Sequence, residues 1–472
     1  MKTIYKYSAA MMILIAAQIL AGCKVSKDIA LPDTSLPKTY RNAPVDSLSV
    51  GALPWKSFFE DEELKSLIAD ALEHNYDLQV AVKNIEAAEL AFKQSKLGNV
   101  PTVGIQATAS TSRPSDNSLN GLSLNQYLGT KHIEDYTIAA SLSWEADIWG
   151  KIRSQKAAAL ASFLSTQEAR KAVQTRIVSD ISKGYYNLLM LDSQLGIARR
   201  NVKLNDSTLT IIKLQYSAGQ VTTLAVQQAE AQKLTAEGLV PQFEQQIAVQ
   251  ENAISVLSGR LPSPVGRDIS LESLSLTEKL STGMPSELLS RRPDVKRAEL
   301  ELSRANANVG YSKANMYPSL TIGAQGGLDA IKASNWFNIP ASLFGVVTGG
   351  IAQPLFDKKR LSTLYQVAKV NREASVLQFR QSVLVAYQEV SDALVKLDKL
   401  KQQQALATER TATLQQATHN SQQLFKNGLA TYLEVITAQG NVLQSELELA
   451  SIKKARLDAT VDLYRSLGGG WN

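Results

Sequence analysis

The sequence is poor in the residues that build most catalytic and metal centres. Its 472 residues hold one cysteine and three histidines, and His74, His132 and His419 lie far apart. A single thiol excludes an intramolecular disulfide framework and a multi-cysteine zinc site, and the scattered histidines leave little material for a histidine cluster. Aromatic residues make up only 6% and charged residues 20%, with a net charge of +6. There is no block of basic residues and no basic patch interleaved with aromatics, so nucleic-acid binding has little support. The mean hydropathy of −0.12 excludes a polytopic helical membrane protein. There is no G-x-S-x-G, P-loop, H-E-x-x-H or Rossmann glycine run after a strand, and Gly468-Gly469-Gly470 belongs to a terminal tail. The expectation is a non-enzyme without cofactor or metal. By composition alone the chain reads as soluble and helix-rich, with length for about three domains at ~150 residues each.

The N-terminus changes that reading. Lys2 and Lys6 precede a mostly apolar run from Ala9 to Leu20. This is too short to span a bilayer, which takes ~20 residues, and suits a signal peptide. Leu20-Ala21-Gly22-Cys23 resembles a bacterial lipobox, implying cleavage after residue 22 and acylation of Cys23. The alternative is an ordinary signal peptide with an incidental cysteine, but the chain's only cysteine stands at the one position the motif requires. Lys24, in place of Asp, favours outer-membrane sorting in the lipoproteins this resembles. Loss of Lys2 and Lys6 lowers the charge to +4.

The mature chain then reads twice. Asp77, Ser95 and Pro101 align with Asp294, Ser312 and Pro318 at an offset of 217. Trp149-Gly150-Lys151-Ile152-Arg153 aligns with Phe356-Asp357-Lys358-Lys359-Arg360 at 207, and Tyr216-Ser217-Ala218-Gly219 with Phe425-Lys426-Asn427-Gly428 at 209. The drop of ten from 217 to 207 points to a longer first strand–strand loop. The expected organisation is a signal peptide at 1–22, an N-terminal segment at 23–60, a first repeat at 61–258 and a Pro/Gly/Ser-rich connector at 259–284. A second repeat at 285–467 and a tail at 468–472 complete it. Each repeat holds a helix, two strands (about 100–112 and 134–146; about 317–328 and 342–354) and a long helix pair turning near 217–221 or 426–430.

The long helices carry a period of 3.5. Ile177, Ile181, Gly184, Leu188, Leu191, Leu195, Ala198 and Val202 step by four and three, and Leu433, Ile436, Gly440, Leu443 and Leu447 do the same. Such a period means helices wrapped on neighbours, and roughly 65 residues give ~100 Å of helix. Pro241 is expected to kink one of them. A plain structural coiled coil is the alternative, and the strands argue against it. Tyr136, Ile138, Ala140, Leu142 and Trp144 alternate with Thr137, Ala139, Ser141 and Ser143; Val103, Ile105 and Ala107, and then Leu320, Ile322 and Ala324, alternate likewise. A period of two with one apolar face suits strands between lipid and water. The fourth alternates poorly. Tyr136, Trp144, Trp336, Phe337 and Phe344 are candidates for interfacial girdles. Four strands leave two open edges, which lipid does not tolerate. Two copies would give a filled eight-stranded barrel and three a twelve-stranded barrel with a lumen; the small polar residues favour the wider one. Edge strands of a soluble sheet are the other reading.

Arg291-Arg292-Pro293-Asp294-Val295, Tyr317-Pro318-Ser319-Leu320, Trp144 to Arg153 and Gly428-Leu429-Ala430-Thr431-Tyr432-Leu433-Glu434-Val435 together resemble the outer-membrane efflux channel family (TolC-like), in particular its lipoprotein NodT-type branch serving RND multidrug pumps. The resemblance spans about 50–467. It implies a mainly α fold with membrane β structure. A homotrimer would complete a 12-stranded β-barrel, four strands per chain, above a long α-helical coiled-coil barrel. It further implies a passive exit duct in the outer membrane, with a periplasmic adaptor and an inner-membrane RND-type pump as partners. Export of secreted proteins and a non-conducting envelope lipoprotein are the alternatives. By the same resemblance the turns at Gly219 and Gly428, with Thr222 and Thr431, form the periplasmic tip that receives the adaptor. Glu434 falls at an acidic constriction position, where three copies would form an anionic ring. The family's further acidic positions fall here on Thr437 and Ala225. The alternative for Glu434 is a solvated carboxylate favoured by a helix N-terminus. Arg292, Pro293 and Asp294 read as structural, with Pro in a turn and Asp capping the next helix.

Overall fold

The computed structural model describes residues 36–37, 39–40, 49–274 and 281–472. The signal peptide and the Cys23 anchor lie outside the described residues. The helices are α1 (Trp55–Phe58), α2 (Glu62–His74), α3 (Tyr76–Lys96), α4 (Leu119–Leu128), α5 (Lys151–Ser217), α6 (Thr223–Leu257), α7 (Leu288–Arg291), α8 (Pro293–Ala314), α9 (Arg360–Lys426) and α10 (Tyr432–Ser466). The strands are β1 (Thr102–Ser112), β2 (Ile133–Ala146), β3 (Ser319–Ala330) and β4 (Leu343–Ala352). The described residues fall into two units. One comprises Ala87–Phe163 with Leu300–Leu377, the other Asp33–Glu86, Leu164–Glu299 and Gln378–Asn472.

The first unit carries one antiparallel sheet in the order β1-β2-β3-β4. Its register lays the apolar residues side by side: Val103 opposite Leu142, Leu142 opposite Ala324, and Ala324 opposite Val347. Trp144 pairs with Ile322 and Leu320 with Ile351 on the same face. The opposite face carries Gln106, Ser141, Ser143, Thr321, Gln325 and Thr348. The weak alternation of β4 now has a cause. Gly345 and Gly349 fall on its apolar face and Val346 on the polar one. Phe344, opposite Gly327, also lies on the polar face, which removes it from the girdle residues. Tyr136 and Trp336 do meet, with ring centroids 5.4 Å apart. Among the described residues every residue of β1 is exposed and the central strands are mostly half-buried, Ala139 alone of them being fully buried, so the sheet is a single layer with both faces largely open. Where β2 gives way to α5, Trp149 stacks on Tyr317 at 4.8 Å and donates to the Pro318 carbonyl at 2.7 Å. Asp147 accepts the backbone N–H groups of Ile152 and Arg153, both at 3.0 Å.

The second unit holds the core. Asp61 caps α2, its Oδ1 accepting from Glu63 N at 3.0 Å. Leu64, Ile68 and Ala71, spaced by four and three, are fully buried against Ile177, Ile181 and Leu188 of α5 and Leu457 and Val461 of α10. Phe58 stacks on Tyr464 at 3.9 Å, and the Tyr464 hydroxyl donates to Leu53 O at 2.7 Å. Pro241 stands inside the continuous helix α6.

The repeat is closer than the sequence suggests. α5 and α9 both have 67 residues and α6 and α10 both have 35. All eight helix ends are related by an offset of 209, so the offset of 207 at the start of α5 is corrected. Gly150 corresponds to Lys359, and both hold positive φ (73° and 63°). The 20 residues between β1 and β2 against 12 between β3 and β4 account for a drop of eight.

Candidate functional site

The two helix turns are built alike. The turn after α5 holds Gly219 at φ 74° and the turn after α9 holds Gly428 at φ 70°, the left-handed conformation that glycine adopts without strain. Gln220 N donates to Gln215 O at 2.9 Å, and Leu429 N to Leu424 O at 2.8 Å. Each is the six-to-one bond of a Schellman close. Thr222 and Thr431 then take the N-cap positions of α6 and α10. All four residues are exposed. Beneath them Leu209, Ile212, Ala225 and Ala229 of the first hairpin pack with Phe425 and Val435 of the second. Deeper still, Gln439 donates to the Thr208 hydroxyl at 2.8 Å.

Glu434 is exposed, but its carboxylate is engaged. Its Oε2 accepts the Thr431 N–H at 2.6 Å and the Thr431 hydroxyl at 3.1 Å. This role was visible in the sequence as Thr-x-x-Glu, the capping-box spacing. Thr437, one turn on, is also exposed. The first-repeat counterpart of Glu434 is Ala225, fully buried in the apolar cluster.

Arg292, Pro293 and Asp294 lie elsewhere in the same unit. Pro293 opens α8 and Asp294 is its second residue. The Arg292 side chain, 7% exposed, donates through Nε to Asp294 Oδ1 at 3.0 Å and through Nη2 to Asp294 Oδ2 at 2.7 Å. It also reaches Glu389 Oε2 of α9 at 2.7 Å and the Ser466 carbonyl at the end of α10 at 3.1 Å. Burial works against its charge, but the Asp294 hydrogen bond and the Asp294 and Glu389 charges outweigh it and raise the guanidinium pKa. Burial likewise opposes the Asp294 carboxylate, and the Arg292 hydrogen bond and charge override it and hold its pKa below the usual range. The motif is a three-way tie whose partners sequence spacing did not reveal.

Among the described residues no group of three or more His, Cys, Asp or Glu is placed to hold a metal, and no helix is long and apolar enough to cross a membrane. A single-layer amphipathic sheet, two matched pairs of 67- and 35-residue helices and exposed glycine turns define the class of outer-membrane channels. The chain belongs to the family described as outer membrane efflux protein, which matches residues 67–260 and 284–469. It is similar to the cation efflux system protein CusC of Escherichia coli, with 26% identity covering 96% of this chain and 97% of that protein. The probable efflux pump outer membrane protein TtgC of Pseudomonas putida shares 26% identity, covering 97% and 94%. The open-state MtrE outer membrane channel of Neisseria gonorrhoeae superposes with a TM-score of 0.84 at 24% identity, covering 95% of this chain and 99% of that one. The protein is therefore an outer-membrane efflux channel component and not an enzyme.

Proposed function

We propose that three copies close their sheets into one twelve-stranded barrel and their helix hairpins into a periplasmic tunnel, forming the passive exit duct of a tripartite pump. The observation that carries this is the single-layer sheet with one apolar face and two unpaired edges. In lipid such edges must be satisfied, and closure with other copies satisfies them. Twelve strands give a lumen where eight would fill with side chains. The energy for transport then comes from an inner-membrane RND-type pump through a periplasmic adaptor.

The adaptor docks on the turns at Gly219 with Thr222 and Gly428 with Thr431. Support comes from Leu224, Leu429 and Leu433 beside them, which are 56%, 75% and 56% exposed; exposed apolar side chains grouped at one tip fit a partner surface. Glu434, with Thr437 a turn away, forms the constriction, one carboxylate per copy. Residues 1–22 are the leader, Cys23 carries the lipid, and 259–284 links the two repeats. The relatives are named for cation and efflux-pump transport, and a passive duct leaves cargo choice to the pump.

Deleting the gene and measuring intracellular accumulation of pump substrates tests this. Accumulation should rise, and unchanged accumulation for every substrate, or loss of protein secretion instead, refutes it. Recording in planar bilayers separates a duct from a scaffold, since a scaffold gives no conductance even with the tip opened.

A further inference from the structure

The two ends of the sheet differ in charge. At one end the junctions between strands and helices stand side by side. Trp144 Nε1 donates to Asn99 O at 2.8 Å, Trp149 Nε1 to Pro318 O at 2.7 Å and Gln353 Nε2 to Met316 O at 3.0 Å. The segments that meet there, 90–101, 148–163, 302–318 and 358–372, hold two, three, two and five Lys or Arg and no Asp or Glu. All of them lie in the first unit. The opposite end, 113–135 and 329–342, holds three cations against four carboxylates. The excess is therefore confined to the end from which α5 and α9 depart. The acids bordering it are engaged. Glu145 pairs with Lys151 at 2.9 Å, and Asp147 accepts from the first turn of α5. Asp357 accepts from Leu361 N at 3.3 Å and stands 3.6 Å from Arg360. Arg153, Lys156, Lys358 and Lys359 are exposed and make no ion pair among the described residues.

We propose that this row of cations is a collar that binds the anionic phospholipid headgroups of the leaflet from which the helices emerge. The proposal rests on the sheet lying in lipid and adds which lipid it selects. Three observations support it. First, the cations sit at the level of the sheet's end. Lys358 and Lys359 immediately precede α9, and Arg153 and Lys156 lie within ~8 Å of the start of α5 at ~1.5 Å per residue. The attraction of a cation to an anionic surface is about fivefold per Lys or Arg and fades within a Debye length, about 10 Å at 0.1 M salt. Second, Lys358 and Lys359 both hold positive φ, 57° and 63°, where a side chain crowds its own backbone. The first repeat has Trp149 and Gly150 at these positions. A lysine kept where glycine would stand without strain points to a use for its side chain. Third, Leu97, Leu355 and Phe356 beside the cations are 62%, 82% and 100% exposed. Apolar side chains next to cations match acyl chains beneath phosphates, whereas a water-filled duct would leave them without a partner.

The test is quenching of tryptophan fluorescence by brominated lipids, with the full chain reconstituted in mixed vesicles of phosphatidylglycerol and phosphatidylcholine. Trp144 and Trp149 report on the collar, and Trp336→Phe removes the tryptophan of the opposite end. Brominating one lipid and then the other gives their relative binding. Phosphatidylglycerol should be preferred about fivefold at about 0.1 M salt and less than about twofold at about 1 M, an arm that needs no further variant. The combination Arg153→Gln, Lys156→Gln, Lys358→Asn and Lys359→Gly should fall below about twofold at both salt concentrations; asparagine and glycine tolerate the left-handed backbone. Lys359→Arg should keep the wild-type preference. Equal quenching of the wild type by the two lipids, or a preference unchanged in the combined variant, overturns the collar. So does a combined variant that alters only ion selectivity across phosphatidylcholine bilayers, which would place the cations in the duct. Quenching of the wild type by neither lipid means that the sheet lies outside lipid, which overturns the membrane reading as well.

Discussion

Arg292→Ala removes one side chain that ties three helices, and the size of the loss follows from what is left behind. The guanidinium serves Asp294, Glu389 and the Ser466 carbonyl while only 7% exposed. Breaking a fully buried pair costs about 3–5 kcal/mol because the surviving charge has no partner. Here the survivors are partly wet, Asp294 at 48% and Glu389 at 36% exposure. Solvent screening lowers the electrostatic part, and the orphaned Ser466 carbonyl adds about 1 kcal/mol. The expected destabilisation is about 2–3 kcal/mol. Arg292→Lys keeps the charge without the fork and should lose about half of that. The assay is guanidinium unfolding of the assembled protein followed by the helical circular dichroism signal. The pH dependence has a definite sign. The Asp294 pKa is lowered on folding, so its stabilisation is complete above the ordinary carboxylate range and vanishes as pH falls through the lowered folded value. The gap between wild type and Arg292→Ala should hold from pH 7 to 5 and narrow only below about pH 4. A loss under about 0.5 kcal/mol, or a gap already closed at pH 5, would refute the tie.

Three further outcomes are expected. Glu434→Gln keeps an acceptor for the Thr431 cap and removes the charge, so it should lower cation preference in planar-bilayer recordings while leaving proteolysis at the 426–431 turn unchanged; Glu434→Ala should alter both, with the cap loss worth about 1 kcal/mol. Gly327→Ala should abolish the heat-resistant oligomer band because its methyl group meets Ile138 O, whereas Gly345→Ala, with open space at that position, should leave it intact. Asp61→Ala removes the α2 cap above the Leu64, Ile68 and Ala71 core and should lower unfolding stability by about 1 kcal/mol in denaturant titration; no change would mean that water replaces the cap.

What could be read in advance depended on whether the signal was local. The seam of α5 repeats on its own chain, so Ile177, Ile181 and Leu188 announced both the helix and its buried face. Three strands declared themselves by alternation. The fourth did not, because Gly345 and Gly349 empty its apolar face and Val346 and Phe344 occupy the other, so only pairing with β3 reveals its faces. The offset of 207 came from matching Lys151 and Arg153 to Lys358 and Arg360, a likeness of charge. Backbone conformation sets the true correspondence, Gly150 with Lys359, and no residue-type comparison would align a glycine with a lysine. The Arg292 tie was opaque for another reason: Glu389 and Ser466 come from helices far along the chain. The cap made by Glu434 spans only four residues, Thr431 to Glu434, and reading Glu434 as a ring carboxylate or a solvated one passed over it.

Two halves whose long helices match in length need not do identical work, and the places where they differ follow their surroundings. Pro241 in α6 and Ala450 in α10 occupy the same position of the repeat. Ala450 is buried, 4% exposed, in the core that α10 shares with α5, where the bulkier proline ring would not fit the seam; Pro241 is exposed, so its ring meets water. Ala225 and Glu434 make the same comparison at the tip. Ala225 has no exposed surface and sits among Leu209, Ile212 and Phe425, where an unpaired carboxylate would pay heavily in desolvation. Its counterpart in the second repeat faces water and bonds its own cap. In the trimeric reading the duct therefore carries one carboxylate per copy at this level, with a fully apolar position alternating between them. The charge is three-fold where the backbone is nearly six-fold, and packing of the first hairpin against the second keeps it so.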